Sequence, residues 1–415
     1  MIDDLCARFN ISPEVRDAAR AAHARTAALA YPAQARVKAN VLRAFYDEGL
    51  NESDLAGSTG YGYDDAARAG YEALIARIFG AERALARLSI VSGTHAIVTT
   101  LAACVAPGER LIAVAGRPYD TLRNAICDAP ESLVSRGIGY EEIALRADGS
   151  LDIEAIVAAV RRSDARAIFV QRSRGYAPRP SLDIAACAAL FAAVKEAAPH
   201  VLMLVDNCYG ELVESTEPTH VGADLVMGSL IKNLGGSLAP AGGYVAGRAD
   251  LVERVAARLY APGLGAALGP SLGFGRAFVQ GLFLAPLVVE QTLRGLDFAA
   301  ALFDELGFGV DPLPGAVRTD IVQAIRLGST DRLQRFAAGL QRAMPLNARF
   351  RPEPGAVPGY VDAVIMSSGS FVGGATIELS CDAPLRAPYE VYLQGGVITE
   401  HTVVGALFAA QALRD

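Results

Sequence analysis

The sequence is poor in several residue types, and each scarcity excludes a class of protein. It has no tryptophan, five histidines and six cysteines, and three of its 38 basic residues are lysines. Without C-x-x-C pairs or histidines in ligand spacing, free thiols are expected rather than a metal site or a disulfide framework. No apolar run reaches the roughly twenty residues of a spanning helix. A net charge of −7 without a basic tract argues against nucleic-acid or membrane partners. The acidic N-terminus lacks a signal-peptide pattern, so a cytoplasmic enzyme is expected.

One of the three lysines stands in a polar, glycine-rich segment, residues 228–236 (GSLIKNLGG). Because arginine meets nearly every need for positive charge in this chain, a retained lysine points to a task that a guanidinium cannot perform. A desolvated primary amine can lose its proton and attack a carbonyl, whereas arginine stays protonated. Lys232 is therefore a candidate nucleophile, and a chance survivor of an arginine-rich composition is the alternative. Lys38 and Lys195 lie on polar-faced helical stretches and fit that alternative.

Two apolar segments of strand type lead into candidate polar residues. Residues 201–205 (VLMLV) precede Asp206, and residues 223–227 (ADLVM) precede Ser229 and Lys232. Ligands of open α/β sheets bind at the carboxyl ends of the strands, so both strands are expected to deliver these residues to one edge. Pyridoxal phosphate needs this pair: a lysine that holds its aldehyde as a Schiff base, and an acid that keeps its pyridine nitrogen protonated.

A phosphate site is predicted between residues 88–91 (LSIV), interpreted as a strand, and a helix that starts near Ala96. Ser92, Gly93 and Thr94 lie between them. Backbone N–H groups at a helix N-terminus, with hydroxyls beside them, suit a dianionic phosphate. A simple Ser or Thr N-cap explains the segment equally well in isolation.

A further aromatic residue is expected at the same edge. Residues 111–114 (LIAV) predict a strand, and residues 116–121 (GRPYDT) follow it. Tyr119 would then have a flat face available to stack on the cofactor ring.

In this order the motifs resemble the fold-type I pyridoxal-phosphate enzymes of cysteine and methionine metabolism, above all the methionine gamma-lyase-like family often labelled aluminium resistance proteins. The resemblance implies the α/β transferase fold: a large domain with a mostly parallel seven-stranded sheet sandwiched by helices, and a smaller α+β C-terminal domain. It runs from about residue 57 to the C-terminus. The segments that carry it are residues 60–65, 91–97, 117–122, 171–176, 206–209, 229–233 and 378–386.

The resemblance implies a role for each candidate residue. Lys232 would be the Schiff-base lysine, Asp206 the partner of the pyridine nitrogen and Tyr119 the residue that stacks on the ring. The remaining cofactor contacts would come from Ser92, Gly93, Thr94, Ser173 and Ser229, with Tyr61 or Tyr63 reaching the phosphate of the neighbouring subunit.

Three departures from the better-known lyases concern the substrate side. Ile231 replaces a threonine before the lysine, and residues 235–237 (GGS) replace a Gly-His pair. Residues 374–378 (GATIE) lack the arginine that binds the substrate carboxylate in those enzymes. Arg386, Arg172 or Arg174 would have to take that part.

The implied activity is that of a carbon–sulfur lyase. It would cleave a sulfur amino acid such as cystathionine, cysteine or methionine by β- or γ-elimination and release a thiol, a keto acid and ammonia. An aminotransferase or aldolase of the same fold stays open, and a non-catalytic binding module is disfavoured because Lys232 and Asp206 are both present. The family implies a dimer with shared active sites, assembled into a homotetramer.

Other interpretations of single motifs are weaker. Residues 229–232 match the Ser-x-x-Lys of penicillin-binding hydrolases, but no lysine follows Lys232 to form the required Lys-Thr-Gly. Residues 263–269 resemble a dinucleotide loop without following a strand. Cys208 and Cys381 could indicate a desulfurase, yet no histidine precedes the lysine.

The expected organisation is a helical arm over residues 1–55, a large cofactor-binding domain over 56–290 and a small domain over 291–415. Helices are predicted for residues 12–29, 34–48 and 287–306, and strands of the small domain for 321–327, 360–366 and 376–379. Glu211 and Glu214 are interpreted as helix-start carboxylates.

Overall fold

The computed structural model describes residues 1–162 and 164–414. The chain begins with three helices, α1 Ile2–Arg8, α2 Pro13–Thr26 and α3 Pro32–Glu48. Proline in the first turn starts both α2 and α3, and Gly49 ends α3 in the left-handed conformation at φ 62°. Both helices pack against the long helix Gly275–Glu305 (α10), and α2 ends three residues earlier than predicted.

A seven-stranded sheet forms the centre of the molecule and is mostly parallel, which confirms the predicted fold class. The strand order is β1-β7-β6-β5-β4-β2-β3, in which only β7 runs antiparallel to its neighbours. The strands are β1 Arg83–Arg87, β2 Arg110–Ala113, β3 Gly139–Glu142, β4 Ala165–Gln171, β5 Leu202–Asp206, β6 Leu225–Ser229 and β7 Gly243–Gly247.

Helices cover both faces of this sheet because both faces of its central strands are apolar. Along β5, Met203 and Val205 join one core cluster, whereas Leu202 and Leu204 join the other. The helices are α4 Ala66–Phe79, α5 Gly93–Cys104, α6 Asp120–Arg123 with a π turn Asn124–Asp128, α7 Ile153–Val160, α8 Ile184–Ala197 and α9 Ala249–Leu259.

The C-terminal part is built on a six-stranded antiparallel sheet of order β10-β11-β12-β13-β9-β8, and it matches the predicted smaller α+β domain. The helix α10 leads into it. The exact domain limits stay a prediction. The elements are β8 Gly309–Asp311, β9 Val322–Arg326, α11 Thr330–Gln341, β10 Pro354–Gly355, β11 Val364–Ser368, β12 Ser380–Pro384, β13 Glu390–Gln394 and α12 Thr399–Ala412.

Two predicted strands are wrong. Residues 88–91 lie beyond the end of β1, because the chain turns after Arg87, whose buried guanidinium donates to Glu72 and to the carbonyl of Ala266. Residues 376–379 form turns, because Glu378 accepts the backbone N–H groups of Phe371 and Val372. None of the described helices is long and apolar enough to cross a membrane.

Candidate active site

The carboxyl ends of β5 and β6 open into a cavity of about 330 Å³ that is lined by the two residues of the predicted pair. Asp206 is the last residue of β5 and lies opposite Met227 of the parallel strand β6. Ser229 ends β6, and Lys232 follows it by three residues. The amine and the acid therefore come from neighbouring strands and face one space.

The turn that carries Lys232 is pressed against α10. Gly236 has φ 50°, and a Cβ at this position would lie 2.3 Å from the carbonyl oxygen of Gly281. In the same way, a Cβ at Gly281 would lie 2.3 Å from the carbonyl oxygen of Gly235. Side chains at these positions would push the turn away from the helix. Gly235 and Gly236 therefore allow the close contact with α10 that positions the turn beside the cavity.

The Lys232 amine lies over an aromatic ring, with Nζ 3.8 Å from the centroid of Tyr209. Burial lowers the pKa of this amine, but Cys208, Tyr209 and Asp206 oppose that effect, and the net pKa is raised above its ordinary value. A cation above the face of a tyrosine ring is stabilised by the ring quadrupole. The protein therefore favours the protonated form of this lysine in the absence of an electrophile.

Asp206 is 4% exposed and uses one carboxylate oxygen within the protein. Its Oδ1 accepts the backbone N–H of Cys208 at 3.0 Å, and no described residue donates to Oδ2. Burial raises the pKa of Asp206, and the Cys208 N–H and Lys232 limit that rise. Burial and the nearby Asp206 raise the pKa of the Cys208 thiol well above its ordinary value, so the thiol stays uncharged in the lining of the cavity.

The N-terminus of α5 forms another wall. Ser92 caps the helix through its Oγ, which accepts the His95 N–H at 3.0 Å. The backbone N–H groups of Gly93 and Thr94 have no acceptor among the described residues. A Cβ at Gly93 would approach Cys208 Sγ to 3.3 Å and Ser229 Cβ to 3.4 Å. The result is a small concavity with free amide donors, as anion sites at helix N-termini require.

Tyr119 is fixed from both sides at the edge of the cavity. Its hydroxyl is 2.7 Å from Thr94 Oγ1, and its backbone N–H donates to Gln171 Oε1 at 3.0 Å. Gln171 in turn donates from Nε2 to the carbonyl of Ser173. Burial raises the pKa of Tyr119 well above its ordinary value, so the phenol stays neutral.

Three cavity tyrosines have no role in the sequence-based assignment. Tyr209, Tyr176 and Tyr360 line the cavity beside Tyr119, and the rings of Tyr176 and Tyr360 lie 5.4 Å apart. Tyr360 comes from the loop before β11, so no spacing in the sequence connects it to Lys232. Tyr209 could have been found, because it lies three residues after Asp206.

Several predicted residues have other surroundings. Tyr61 and Tyr63 are 75% and 55% exposed and do not line the cavity. Ser173 does line it, but its hydroxyl donates to Asp320 Oδ2 at 2.8 Å.

Arg172 does not reach the cavity, although it was predicted as a substrate ligand. It is 1% exposed and is held by Glu214 at 2.6 Å and by Asn207 Oδ1 at 2.5 Å. Glu214 also accepts the N–H of Ile184 at the start of α8, whereas no helix starts at Glu211. Arg172 thus pairs with a half-buried carboxylate and lines neither this cavity nor the one next to it.

Arg174 and Arg386 line a second cavity of about 380 Å³, which shares Tyr119, Tyr176 and Tyr360 with the first. Arg386 Nη1 is 2.8 Å from Asp120 Oδ2. In the described ranges, no three His, Cys, Asp or Glu side chains are grouped to hold a metal ion.

The fold and these adjoining cavities define a fold-type I architecture. A yeast cystathionine gamma-lyase structure has the same fold at 16% identity, with a TM-score of 0.58 over 84% of this chain and 85% of that chain. The family model described as methionine gamma-lyase matches residues 15–414, and the chain belongs to that family.

Closer relatives cover nearly the whole chain. A carbon–sulfur lyase involved in aluminium resistance from Clostridium novyi is 36% identical, with a TM-score of 0.93 over 99% of this chain and 98% of that chain. A Clostridium acetobutylicum protein, provisionally assigned as a cystathionine beta-lyase involved in aluminium resistance, is 38% identical, with a TM-score of 0.94 over the same shares. The uncharacterized protein YnbB of Bacillus subtilis is 43% identical over 87% of this chain and 86% of its own length.

Proposed function

We propose that this protein is a pyridoxal-phosphate-dependent carbon–sulfur lyase that cleaves a sulfur amino acid into a thiol, a keto acid and ammonia. The observation that carries the proposal is that Lys232 and Asp206, from neighbouring strands, face one cavity beside the N-terminus of α5. The family and its relatives support lyase chemistry. A cytoplasmic location is part of the proposal, in keeping with six free cysteines.

The residues present fit this cofactor. Lys232 supplies the amine for its aldehyde, and the Oδ2 of Asp206 is available to the pyridine nitrogen. The free N–H groups of Gly93 and Thr94 suit its phosphate, and the Ser229 side chain lies beside them. The space that a Cβ at Gly93 would fill is available to an oxyanion.

When bound, pyridoxal phosphate supplies an electron sink for the substrate carbanion. Asp206 would keep the ring nitrogen protonated, and Tyr119 would stack on the ring. Lys232 takes the α-proton of the substrate, and the Tyr209 ring stabilises the resulting ammonium. Lys232 then holds a proton that the departing thiolate can accept. Arg386, which lines the second cavity next to the shared tyrosines and pairs with Asp120 at 2.8 Å, is the proposed ligand of the substrate α-carboxylate.

The three lysines make a direct test possible. Borohydride reduction of the protein with pyridoxal phosphate should attach the cofactor to the peptide that contains Lys232, and not to those with Lys38 or Lys195. Lys232→Ala should abolish this labelling and lose at least 10²-fold in kcat. Lys38→Ala, which removes a half-exposed ion pair with Glu290, is the matched control and should keep both. Labelling at another lysine, or full activity of Lys232→Ala, contradicts the assignment.

The reaction class is tested by its products. Cystathionine, cysteine and methionine are incubated in turn, and thiol or sulfide, keto acid and ammonia are measured together. A lyase releases ammonia without any added keto acid. An aminotransferase releases no ammonia and requires a keto-acid acceptor, which would replace the proposed activity.

We also propose a homo-oligomer in which Tyr61 or Tyr63 reaches the cofactor phosphate of a neighbouring subunit. Both rings are exposed, yet their loop is fixed: Arg68 donates to the Gly62 carbonyl, and the Gly269 N–H donates to the Tyr61 carbonyl at 2.9 Å. Exposed tyrosines on an ordered loop are typical of a surface that contacts another subunit.

A further inference from the structure

The second cavity carries more positive than negative charge. Three arginines and two aspartates line it: Arg117, Arg174, Arg386, Asp120 and Asp362. Asp120 is shared by Arg386 at 2.8 Å and Arg117 at 3.4 Å, and Asp362 lies 3.7 Å from Arg386. The two aspartates of the lining thus pair with Arg117 and Arg386, and the third guanidinium pairs with a carboxylate that lies outside the lining.

That remaining guanidinium belongs to Arg174, which is held deep in the wall. Its side chain is 3% exposed, and among the described residues its ion partner is Asp311, which is 54% exposed and contacts Nη1 at 2.7 Å. Its Nε is buried without a hydrogen-bond partner, and no described residue accepts from Nη2. A buried guanidinium with unused donors is costly unless an anion completes its hydrogen bonds.

The two cavities adjoin each other, because Tyr119, Tyr176 and Tyr360 belong to both linings. A ligand attached in the first cavity would pass these three rings to reach the second. The first cavity holds the reacting carbon–sulfur bond if the proposed lyase function is correct. With that bond in the first cavity, the group beyond the sulfur, which leaves as the thiol, would extend towards the arginines of the second cavity.

We infer that the second cavity is a subsite for an anionic leaving group, and that Arg174, assisted by Arg117, selects substrates whose leaving thiol carries a carboxylate. This inference rests on the proposed function and names its substrate class: thioethers of cysteine or homocysteine with an acidic group beyond the sulfur. The carbon–sulfur bond breaks with its electron pair on sulfur. The thiolate takes a proton and leaves, and hydrolysis of the remaining fragment gives the keto acid and ammonia.

The test compares two thioethers that differ in charge but hardly in shape. S-carboxyethyl-cysteine and S-carbamoylethyl-cysteine, together with the corresponding homocysteine pair, are supplied to the holoenzyme, and kcat/KM is measured by keto-acid release. We expect the wild-type protein to favour the carboxylate by about tenfold or more, because a charge-assisted hydrogen bond is lost with the amide.

Variants separate recognition from structure. Arg174→Gln should reduce the preference to within about threefold of unity, and Arg117→Gln, at an exposed position, should reduce it in part. Asp311→Asn removes the ion partner of Arg174 but keeps the guanidinium, so it should retain the preference. If Arg174→Gln does not fold, the wild-type ratio and Arg117→Gln still decide.

Each failure has its own meaning. Cleavage of both thioethers at equal rates by the wild-type protein overturns the subsite and leaves the lyase function intact. Loss of the preference in Asp311→Asn as well assigns Arg174 a structural role and also overturns the inference. If protein loaded with pyridoxal phosphate cleaves cysteine but none of these thioethers, the subsite is overturned and the lyase function stands. If it cleaves neither the thioethers nor cystathionine, cysteine or methionine, the proposed function itself is contradicted.

Discussion

The Oδ2 atom of Asp206 is the protein atom proposed to contact the pyridine nitrogen of the cofactor. Asp206→Asn keeps the shape of the side chain and its contact with the Cys208 N–H, but removes the negative charge. We expect kcat to fall by about 10²–10³-fold, because the ring nitrogen loses its counter-charge in a buried site. Borohydride labelling of Lys232 should persist, since that attachment does not require Asp206. Steady-state kinetics and peptide mapping measure both effects.

A control separates this effect from a general loss of structure. Asp183, which caps α8 through a hydrogen bond to the Ala186 N–H, is also replaced by asparagine. Asparagine caps helices as well as aspartate does, so this variant should keep full kcat. Equal losses in the two variants would show that Asp206 acts through folding alone.

At the residue scale, the sequence is most informative where a residue type or its position is unusual and its side chain can take part in the reaction. Lys232 was identified because only three lysines occur in the chain, and Asp206 because it ends an apolar strand. Both line the same cavity. The sequence could not show which arginine binds the substrate, because nothing in it distinguishes Arg172, Arg174 and Arg386. They differ in their surroundings in the fold: each guanidinium contacts a carboxylate, and those of Arg174 and Arg386 also line a cavity.

The contact between α10 and the turn after Lys232 leads to a prediction about an element. A Cβ at Gly281 would lie 2.3 Å from the Gly235 carbonyl, a distance that forces one of the two elements to move. Gly281→Ala should therefore lower the free energy of unfolding by about 1–3 kcal/mol and weaken cofactor binding, because the displaced turn carries the lysine. Chemical denaturation and cofactor titration measure the two effects.

Gly373 provides the matched glycine. It is exposed, it has ordinary backbone geometry, and a Cβ there would meet nothing within 4 Å. Gly373→Ala should leave both stability and cofactor binding unchanged. If Gly281→Ala lowers stability but binds the cofactor as tightly as the wild type, the turn is positioned by other contacts.

Elements with strong local signals were predicted well. Glycine at the end defined where α3 stops, although the helix begins at Pro32, two residues before the predicted start. Continuous apolar runs defined β5 and β6 to within two residues. The predicted strand at residues 88–91 failed because tertiary contacts of Arg87 end β1 early. No local pattern could reveal those contacts, since Glu72 lies 15 residues before Arg87 and Ala266 lies 179 residues after it.

The proposed shared site predicts how two defective proteins behave together. If Tyr61 or Tyr63 serves the partner's cofactor, a double variant Tyr61→Ala/Tyr63→Ala and the variant Lys232→Ala should each be nearly inactive. Subunits exchanged between them should regain about one quarter of wild-type activity, because in mixed dimers one of the two sites is fully intact. Activity after co-refolding, with native mass measured alongside, tests this. A monomeric mass, or no recovery in verified mixed dimers, contradicts the arrangement.

At the scale of the whole molecule, two buried carboxyl groups make the free energy of unfolding depend on pH. Burial raises the pKa of Glu211 to about 8 and that of Glu217 to about 7. Glu211 is fully buried, its Oε1 accepts the Tyr244 hydroxyl at 2.9 Å, and its Oε2 has no hydrogen-bond partner in the described part of the chain. The ordinary pKa of both groups is 4.5, so the folded protein retains protons that the unfolded chain has already released.

The sign of the effect follows from this difference. The stabilisation is fully present below pH 4.5 and is lost as the pH rises to about 8, since the folded state binds more protons over that window. We expect the free energy of unfolding to fall by about 6 kcal/mol between pH 5 and 8 in the wild type, because each glutamate contributes about 1.4 kcal/mol for every pH unit over which it is ionised in the unfolded chain alone. Glu211→Gln removes one titrating group and should flatten the curve, whereas Glu353→Gln, at an exposed position, should not. Urea unfolding at several pH values measures this. A wild-type curve that rises over this window would mean that both glutamates are ionised in the folded protein.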